Sequence, residues 1–337
     1  MNYQFRNDYS ELASAEILKA LNKARKEQNV GYGLDVHSKK AAKLIAKRFA
    51  IKNPDVFFVS SGTQANLLVI SFLLKDYEAV IACNTGHINV HETGAIENTG
   101  HKVLTVLNQN GKMLPEDIER IVLSHVDEHM VKPKMVYLSN STETGTIYGK
   151  DELIKIKEMC DKYGLYLFID GARMASALTS KYNDVTPEFL KDVCDVFYLG
   201  GTKNGLLFGE AIVFVNNKLA NEFRYHLKNK GAMLAKTFVV SIMFERAFKD
   251  NLYFDLAKNA NEMASFIYDN LKDSINFLSP AYTNQLFIEL DKKLALDVID
   301  KFGCELWENK KDTTTIRIVT SFATSKEACL ELINYLK

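Results

Sequence analysis

Cysteine and proline are scarce in this sequence. The 337 residues include five prolines and five cysteines, and no two cysteines form a CxxC pair. Paired spacing of that kind is typical of structural zinc sites and disulfide-rich domains, so both are disfavoured. No proline-, glycine- or serine-rich linker divides the chain either. The cysteine pattern is that of a reducing compartment, and we expect a cytoplasmic protein.

An excess of charge of either sign is also missing. Lysine and arginine together number 42, as do aspartate and glutamate, so the formal net charge is zero. A balanced chain gives no electrostatic basis for binding nucleic acid or an anionic membrane, although a local phosphate pocket needs only a few groups. No apolar run approaches the ~20 residues that span a bilayer, and the first stretch, MNYQFRNDY, has no apolar signal core. We expect no nucleic-acid partner and no membrane partner.

What the sequence does contain is an alternation of short apolar runs with longer helical stretches. The spacing of apolar residues predicts helices over 11–27 and 38–49, with Ser38 as an N-cap. Strands are predicted over 56–59, 79–82, 102–106, 134–138, 165–169 and 196–199, with a helix over 151–163. Strands that are apolar on both faces and separated by helices indicate an α/β fold with a mostly parallel sheet covered on both sides.

The pattern changes after about residue 240. A long helical region over 244–271 is followed by strands over 285–290, 304–309 and 315–320 and by helices over 293–302 and 325–336. This mixture predicts a small C-terminal α+β domain. We therefore predict two domains, over 1–240 and 241–337, which suits the chain length at ~100–200 residues a domain.

Polar residues follow several strands at their carboxyl ends, where open α/β sheets bind ligands. The stretch from Ser61 to Gln64 lies between a predicted strand and a helix. Gly62 permits close backbone approach, and the Thr63 hydroxyl with the N–H groups of the helix start makes a candidate anion site. The alternative is a helix cap without a ligand, and this stretch alone does not decide between the two.

Asp170 and Lys203 each follow a strand predicted to be buried. A carboxylate at such a position needs a partner, and Asp170 suits a protonated pyridine nitrogen, with an N-cap or an ion pair with Arg173 as the alternatives. Lys203 lies in GGTKNGLLFGEA, where the glycines allow a flat ligand close to the backbone. A desolvated lysine there has a lowered pKa and can form a Schiff base.

Two further candidates are a histidine loop and a strand arginine. His87 and His91 are four residues apart, but there is no HExxH motif and no evident third ligand, so we predict no metal site. Either His87 stacks on a cofactor ring or acts as a base, or the histidines are satisfied by backbone hydrogen bonds. Arg317 lies on an alternating strand, TIRIVTSF, where it could grip a carboxylate or face outward as an ordinary strand residue.

These stretches resemble the low-specificity L-threonine aldolases, including the branch with phenylserine-type aldolases. The matching motifs cover nearly the whole chain: FRNDY (5–9), GYGLD (31–35), SSGTQAN (60–66), TGHINVHETGAIENTGHKV (85–103), STETGTIY (141–148), IDGARMASAL (169–178), GGTKNGLLFGEA (200–211) and IRIVTSF (316–322). DGAR followed by GGTKNGLLFGEA is the most specific pair. The resemblance implies the β-eliminating lyase group and the aspartate-aminotransferase fold (fold type I), with pyridoxal 5′-phosphate (PLP) as cofactor.

On the matching positions, the resemblance implies a cofactor site. Lys203 is expected to be the Schiff-base lysine, Asp170 the partner of the pyridinium nitrogen, and His87 the histidine that stacks on the ring. The phosphate cradle and the remaining cofactor contact are assigned to Gly62, Thr63, Gln64 and Thr202.

The resemblance also implies a substrate site, to which the N-terminal segment contributes. Arg173 and Arg317 are expected to bind the substrate carboxylate. Much of the family has serine where this chain has Asn7, which can still hydrogen-bond to a carboxylate, so substrate preference is open there. His129, in DEHMVKP, is matched to a second active-site histidine. The base for the β-hydroxyl proton is His87, His129 or a bound water.

The implied activity is retro-aldol cleavage of L-threonine, L-allo-threonine or a related β-hydroxy amino acid such as phenylserine, giving glycine and an aldehyde. The alternatives are β-elimination or transamination on the same fold and, more remotely, a non-catalytic binding protein. The resemblance further implies a homodimer or homotetramer with sites at the subunit interface. Many members have an arginine near 231–235 that reaches a partner's phosphate, and Lys228, Lys230 or Lys236 could replace it here.

Overall fold

A seven-stranded sheet forms the centre of the larger part of the molecule. The computed structural model describes residues 3–337. The strands of this sheet are β1 (Asp55–Val59), β2 (Glu78–Cys83), β3 (Val103–Val106), β4 (Lys132–Ser139), β5 (Tyr166–Asp170), β6 (Val196–Gly200) and β7 (Glu210–Phe214). They pair in the order β1-β7-β6-β5-β4-β2-β3. Of the seven, β7 runs antiparallel to both of its neighbours, and the others are parallel to one another. The predicted mostly parallel sheet is confirmed.

Helices cover both faces of this sheet because its strands are apolar on both sides. All residues of β2, β6 and β7 are buried. Ile81 packs into the core on one face, and its neighbour Val80 packs into the core on the other. The helices along this part of the chain are α1 (Ala15–Ala24), α2 (Val36–Arg48), α3 (Gly62–Leu73), α4 (His87–Val90), α5 (Pro115–Ser124), α6 (Lys150–Tyr163), α7 (Met174–Leu178), α8 (Leu190–Val193), α9 (Phe223–Asn229) and α10 (Thr237–Lys249).

The first two helices begin at other residues than predicted. The prediction that Ser38 caps α2 is wrong, because the N-cap is Asp35, whose carboxylate accepts the Ser38 N–H at 2.8 Å. Ser38 lies inside the first turn, and its hydroxyl donates to the same carboxylate. The helix predicted from residue 11 begins instead at Ala15, after the N-cap Ser14.

A second, four-stranded sheet lies in the C-terminal part. Its strands, in the order β10-β11-β9-β8, are all antiparallel: β8 (Asn276–Phe277), β9 (Gln285–Asp291), β10 (Glu305–Asn309) and β11 (Thr313–Val319). Its helices are α11 (Leu252–Leu271), α12 (Lys292–Phe302) and α13 (Lys326–Leu336). The predicted helical region over 244–271 consists of two helices, the end of α10 and α11. The domain boundary after residue 240 stays a prediction, and that position lies within α10.

The N-terminal segment runs along the smaller sheet. The Phe5 N–H donates to the Phe302 carbonyl at 2.8 Å, and the Val319 N–H donates to the Phe5 carbonyl at 2.9 Å. This pairing holds residues 5–9 in place and carries Asp8 toward the edge of the large sheet. Within residues 3–337, none of the helices has both the length and the apolar character needed to cross a bilayer.

Candidate active site

The carboxyl ends of the parallel strands meet at one edge of the large sheet, and a cavity of about 320 Å³ opens there. The antiparallel β7 brings its first residue, Glu210, to the same edge. The strand-end residues that line the cavity are Ser60, Ser61, Ser139, Asp170, Thr202, Lys203 and Glu210. The edge predicted from the sequence is therefore where these polar groups converge.

Asp170, the last residue of β5, is buried and accepts hydrogen bonds on both of its carboxylate oxygens. The hydroxyls of Tyr137 and Tyr198 donate to its two oxygens at 2.5 and 2.6 Å. The Ala172 N–H donates at 3.0 Å, and the Asn66 amide donates at 3.2 Å. Burial raises the pKa of both tyrosines well above the ordinary value, so they remain donors. Neither predicted alternative applies, since Asp170 caps no helix with its side chain and Arg173 pairs elsewhere.

Lys203 lies in the loop after β6, half-buried in the cavity wall. Burial, followed by repulsion from Arg173, lowers its pKa. Glu210 is buried nearby, and its carboxylate accepts the Gly201 N–H at 2.7 Å. Burial raises the pKa of Glu210 to about 7. Thr202 connects the two ends of this loop, because its hydroxyl accepts the Gly209 N–H at 3.0 Å.

The start of α3 forms another part of the wall. Gly62 and Thr63 line the cavity. A Cβ on Gly62 would lie 2.8 Å from the Tyr198 hydroxyl, so only glycine fits without a shift. The Gln64 side chain does not line the cavity, because its carbonyl accepts the Ser60 N–H at 3.1 Å and the Ser60 hydroxyl at 3.0 Å. Of the three residues predicted to form the phosphate cradle, Gly62 and Thr63 line the cavity, while Gln64 braces the turn.

His87 begins α4 and borders the cavity. Its Nδ1 lies 2.7 Å from Oε1 of Glu92, whose side chain is fully buried. The same Oε1 accepts from the Asn66 amide at 2.7 Å, and that amide also donates to Asp170. A continuous hydrogen-bonded path therefore joins His87 to Asp170.

A second chamber of about 570 Å³ adjoins the first. Both are lined by Tyr9, His87, Glu143, Arg173 and Lys203. The second is further lined by Asn84, Thr85, Val90, His91, Glu305, Leu306, Trp307 and Arg317. The chamber therefore lies between the edge of the large sheet and the smaller sheet.

The two arginines predicted to bind a carboxylate both line this second chamber. Arg173 forms a two-point ion pair with Asp8, from Nε at 2.7 Å and from a terminal nitrogen at 3.0 Å. Arg317 donates to Gln285 at 3.2 Å and to Glu305. Burial, followed by Arg173, lowers the pKa of Arg317. Its Nε is buried without a hydrogen-bond partner in the described chain, which suits an anionic ligand.

Glu143 and Asp8 are among the acidic residues of the site that sequence reasoning missed. Glu143 lines both chambers and accepts from the Ser139 hydroxyl at 2.7 Å and the His87 N–H at 2.9 Å. Burial raises its pKa. Asp8, the partner of Arg173, is also held by the Asn284 amide at 3.0 Å. Both lie in stretches singled out for the resemblance, STETGTIY and FRNDY, which was the available signal.

Besides Gln64, two more predicted site residues line neither chamber. His129 is exposed in the loop before β4, at the opposite end of that strand from Ser139. Asn7 accepts from the Tyr9 N–H and the Ser10 hydroxyl, while its neighbours Asp8 and Tyr9 make the contacts with the site. The lysines considered for a contact between subunits, Lys228, Lys230 and Lys236, are exposed.

Comparison with known proteins identifies the family. Residues 4–293 match the family described as β-eliminating lyase. A low specificity L-threonine aldolase from a Pseudomonas species is 34% identical over 306 residues, which are 89% of this chain and 87% of the relative. The Leishmania major threonine aldolase structure has 42% identity and a TM-score of 0.97, covering 99% of this chain and 98% of that one. An aspartate aminotransferase from Thermotoga maritima, at 17% identity and a TM-score of 0.74 over 100% of this chain and 90% of that one, has the same fold. Matched to the family over residues 4–293, and with a lysine and a buried aspartate lining one cavity, the chain belongs to the β-eliminating lyase family, among the threonine aldolases.

Proposed function

We propose that this protein is a PLP-dependent aldehyde-lyase that cleaves L-threonine, L-allo-threonine and related β-hydroxy amino acids to glycine and an aldehyde. The observation that carries the proposal is that Lys203 and Asp170 line the same cavity. An amine and a buried carboxylate are the two groups that this cofactor requires from a protein. The relatives' names support the substrate class.

The residues of the first chamber fit pyridoxal phosphate. Gly62 and Thr63, at the start of α3, offer N–H groups to a phosphate, and the close Tyr198 contact leaves room for no side chain at Gly62. Lys203 would hold the aldehyde carbon through its amine, which its lowered pKa favours. Asp170 would keep the pyridine nitrogen protonated. When bound, the cofactor supplies a ring that accepts the electron pair left on Cα.

The second chamber would bind the amino-acid carboxylate. Arg173 is held rigidly by Asp8, and Arg317 presents a buried Nε without a partner. Two guanidinium groups on one cavity attract an anion and fix its orientation. Orientation of the bond to be broken can contribute several kcal/mol, within the ~7–11 kcal/mol available from positioning.

His87 is the base we assign to the β-hydroxyl proton. It lines both chambers, whereas His129 lies at the other end of β4. His87 also has a buried carboxylate on its other ring nitrogen, as catalytic histidines commonly do.

Association into a homodimer or homotetramer, and a cytoplasmic location, belong to the same proposal. Four apolar side chains within seven residues are exposed at the start of α2 and in the segment before it, namely Val30, Tyr32, Leu34 and Val36. Such a cluster is typical of a surface covered by another subunit. The cytoplasmic location rests on the cysteine usage of the sequence.

The test is an assay of aldehyde release from L-threonine, L-allo-threonine and phenylserine by the purified protein with PLP. Lys203→Ala should lose the visible absorption of covalently attached cofactor and at least ~10²-fold in kcat. Lys191→Ala, which alters a surface lysine paired with Asp192, is the control and should change neither. Bound cofactor with no aldehyde from any of the three substrates would point to transamination or elimination instead.

A further inference from the structure

The buried carboxylate that contacts the His87 ring belongs to Glu92. Glu92 lies just beyond α4, and its side chain is completely shielded from solvent. One oxygen, Oε1, contacts His87 Nδ1 at 2.7 Å and accepts from Asn66 at 2.7 Å. The other oxygen, Oε2, is buried and has no partner in the described chain. A buried carboxylate is costly unless a nearby group gains from its charge.

We propose that Glu92 is a positioning residue that holds His87 in the form protonated on Nδ1, so that Nε2 accepts the β-hydroxyl proton. This inference rests on the proposed function. A carboxylate accepts hydrogen bonds and donates none, so the proton between the two groups belongs to Nδ1. Since a neutral imidazole carries one proton, its Nε2 is then the unprotonated nitrogen. Within the described chain, no residue hydrogen-bonds to Nε2.

The proton transfer balances within this pair. As the O–H bond of the substrate breaks, the proton forms a bond with Nε2 and the imidazole becomes a cation. Glu92 supplies the compensating negative charge at 2.7 Å in a site closed to solvent. A negative charge that is already fixed in a low-dielectric site stabilises a developing cation more than water does, because water molecules must first reorient.

Asn66 lies between the Glu92 carboxylate and the Asp170 carboxylate that is assigned to the cofactor. Its amide nitrogen donates to Glu92 at 2.7 Å and to Asp170 at 3.2 Å, and its side chain is buried. Each carboxylate thereby accepts a hydrogen bond from the same amide. Other charged or titratable groups near His87 are Glu143, His91, Arg173 and Lys203.

The experiment compares Glu92→Gln with wild type in the holoenzyme. Glutamine can still accept the Nδ1 proton but carries no charge, so His87 stays oriented while the imidazolium loses its counter-ion. We expect kcat for L-threonine to fall about 10²-fold. The acidic limb of the pH–rate profile should move to lower pH by about one unit, with KM changing little.

A second readout does not depend on turnover. Diethyl pyrocarbonate acylates neutral imidazole, so the pH dependence of His87 modification, followed by peptide mass spectrometry, reports its protonation directly. It should move to lower pH in Glu92→Gln. Glu245→Gln is the matched control, because Glu245 contacts Nδ1 of His37 at 2.6 Å, away from both chambers. It should leave the kcat and the modification of His87 unchanged.

The possible outcomes separate the two proposals. If His87 modification and the pH–rate profile are the same in Glu92→Gln and wild type, Glu92 is merely structural and the inference is overturned. If the modification shifts but wild type releases no aldehyde from any β-hydroxy amino acid, the link between Glu92 and His87 stands and the proposed aldol cleavage fails. Circular dichroism of each variant verifies that a lost activity is not a lost fold.

Discussion

The carboxyl groups around the cavity differ in the hydrogen bonds they accept and in the charges beside them. Asp170 accepts four hydrogen bonds. Asp8 is buried, but the charges of Arg173 and Lys203 outweigh burial and hold its pKa below the ordinary value. For Glu210 burial dominates, and its pKa rises to about 7. This end of the sheet therefore presents one carboxyl group with a lowered pKa, Asp8, beside another with a pKa of about 7, Glu210.

The raised pKa of Glu210 predicts a pH-dependent stability. Between about pH 4.5 and 7 the folded state holds a proton on Glu210 that the unfolded state releases, so stability falls as pH rises through this range. Glu210→Gln removes that effect. We therefore compare the free energy of unfolding of the Glu210→Gln apoprotein with that of wild type at each pH. Between pH 5 and pH 8 this difference should shift in favour of the variant, by on the order of 1–2 kcal/mol. Urea unfolding at the two pH values measures it.

Glu289→Gln is the control for this experiment. Hydrogen bonds from Thr313 and Lys310 hold the pKa of Glu289 below its ordinary value. The stability that Glu289 contributes is present above the pKa of the unfolded state. It is lost only as the pH falls through the lower pKa of the folded state, which lies outside the interval tested. The difference between Glu289→Gln and wild type should thus be the same at pH 5 and pH 8. An equally flat result for Glu210→Gln would contradict the prediction.

At the level of single residues, sequence reasoning located the polar residues that stand at or near the carboxyl ends of strands. Asp170 and Lys203 follow directly after buried strands, and both line the cavity. Glu210 was missed because it begins an antiparallel strand, and only the sheet order brings an amino end to an edge otherwise made of carboxyl ends. Glu92 was also missed, although it lies in one of the stretches singled out for the resemblance, because nothing in its local sequence distinguishes a buried glutamate from an exposed one.

Among the elements, helix starts were the least predictable. Ser38 and Asp35 are both good N-cap residues, and they stand three positions apart. The backbone enters the helix at Asp35, so the carboxylate caps and the serine becomes its partner. Short-range spacing cannot separate two acceptable caps, because the choice depends on how the helix packs against α10 through Ser241.

The cap assignment can be tested by substitution. Asp35→Ala should lower the free energy of unfolding by about 1–2 kcal/mol, since the buried Ser38 N–H loses its acceptor. Asp291→Ala, which removes an exposed cap of α12, should cost about 0.5 kcal/mol. Chemical unfolding compares the two. An unchanged free energy of unfolding for Asp35→Ala would contradict the assignment of Asp35 as the cap.

For the molecule as a whole, the exposed apolar cluster at the start of α2, from Val30 to Val36, predicts self-association. Leu34 is 52% exposed in the single chain, and Asp at this position would put a charge into an apolar contact between copies. Light scattering should give a dimer or tetramer for wild type and a smaller assembly for Leu34→Asp. Leu123→Asp, at a leucine 60% exposed on α5, is the control and should associate as wild type does. A monomeric wild type would contradict the prediction.

The sequence by itself determined the alternation of strands and helices, the sheet edge that carries the site, and the positions of Asp170, Lys203 and the α3 cradle. These follow from local periodicity and from groups that are neighbours along the chain. Only the tertiary structure decided the partners: Asp8 meets Arg173 across 165 residues, and Asn66 meets Asp170 across 104. Such contacts depend on strand order and on how the N-terminal segment lies along the smaller sheet. A polar contact between residues far apart in the chain produces no periodic pattern in the sequence from which it could be predicted.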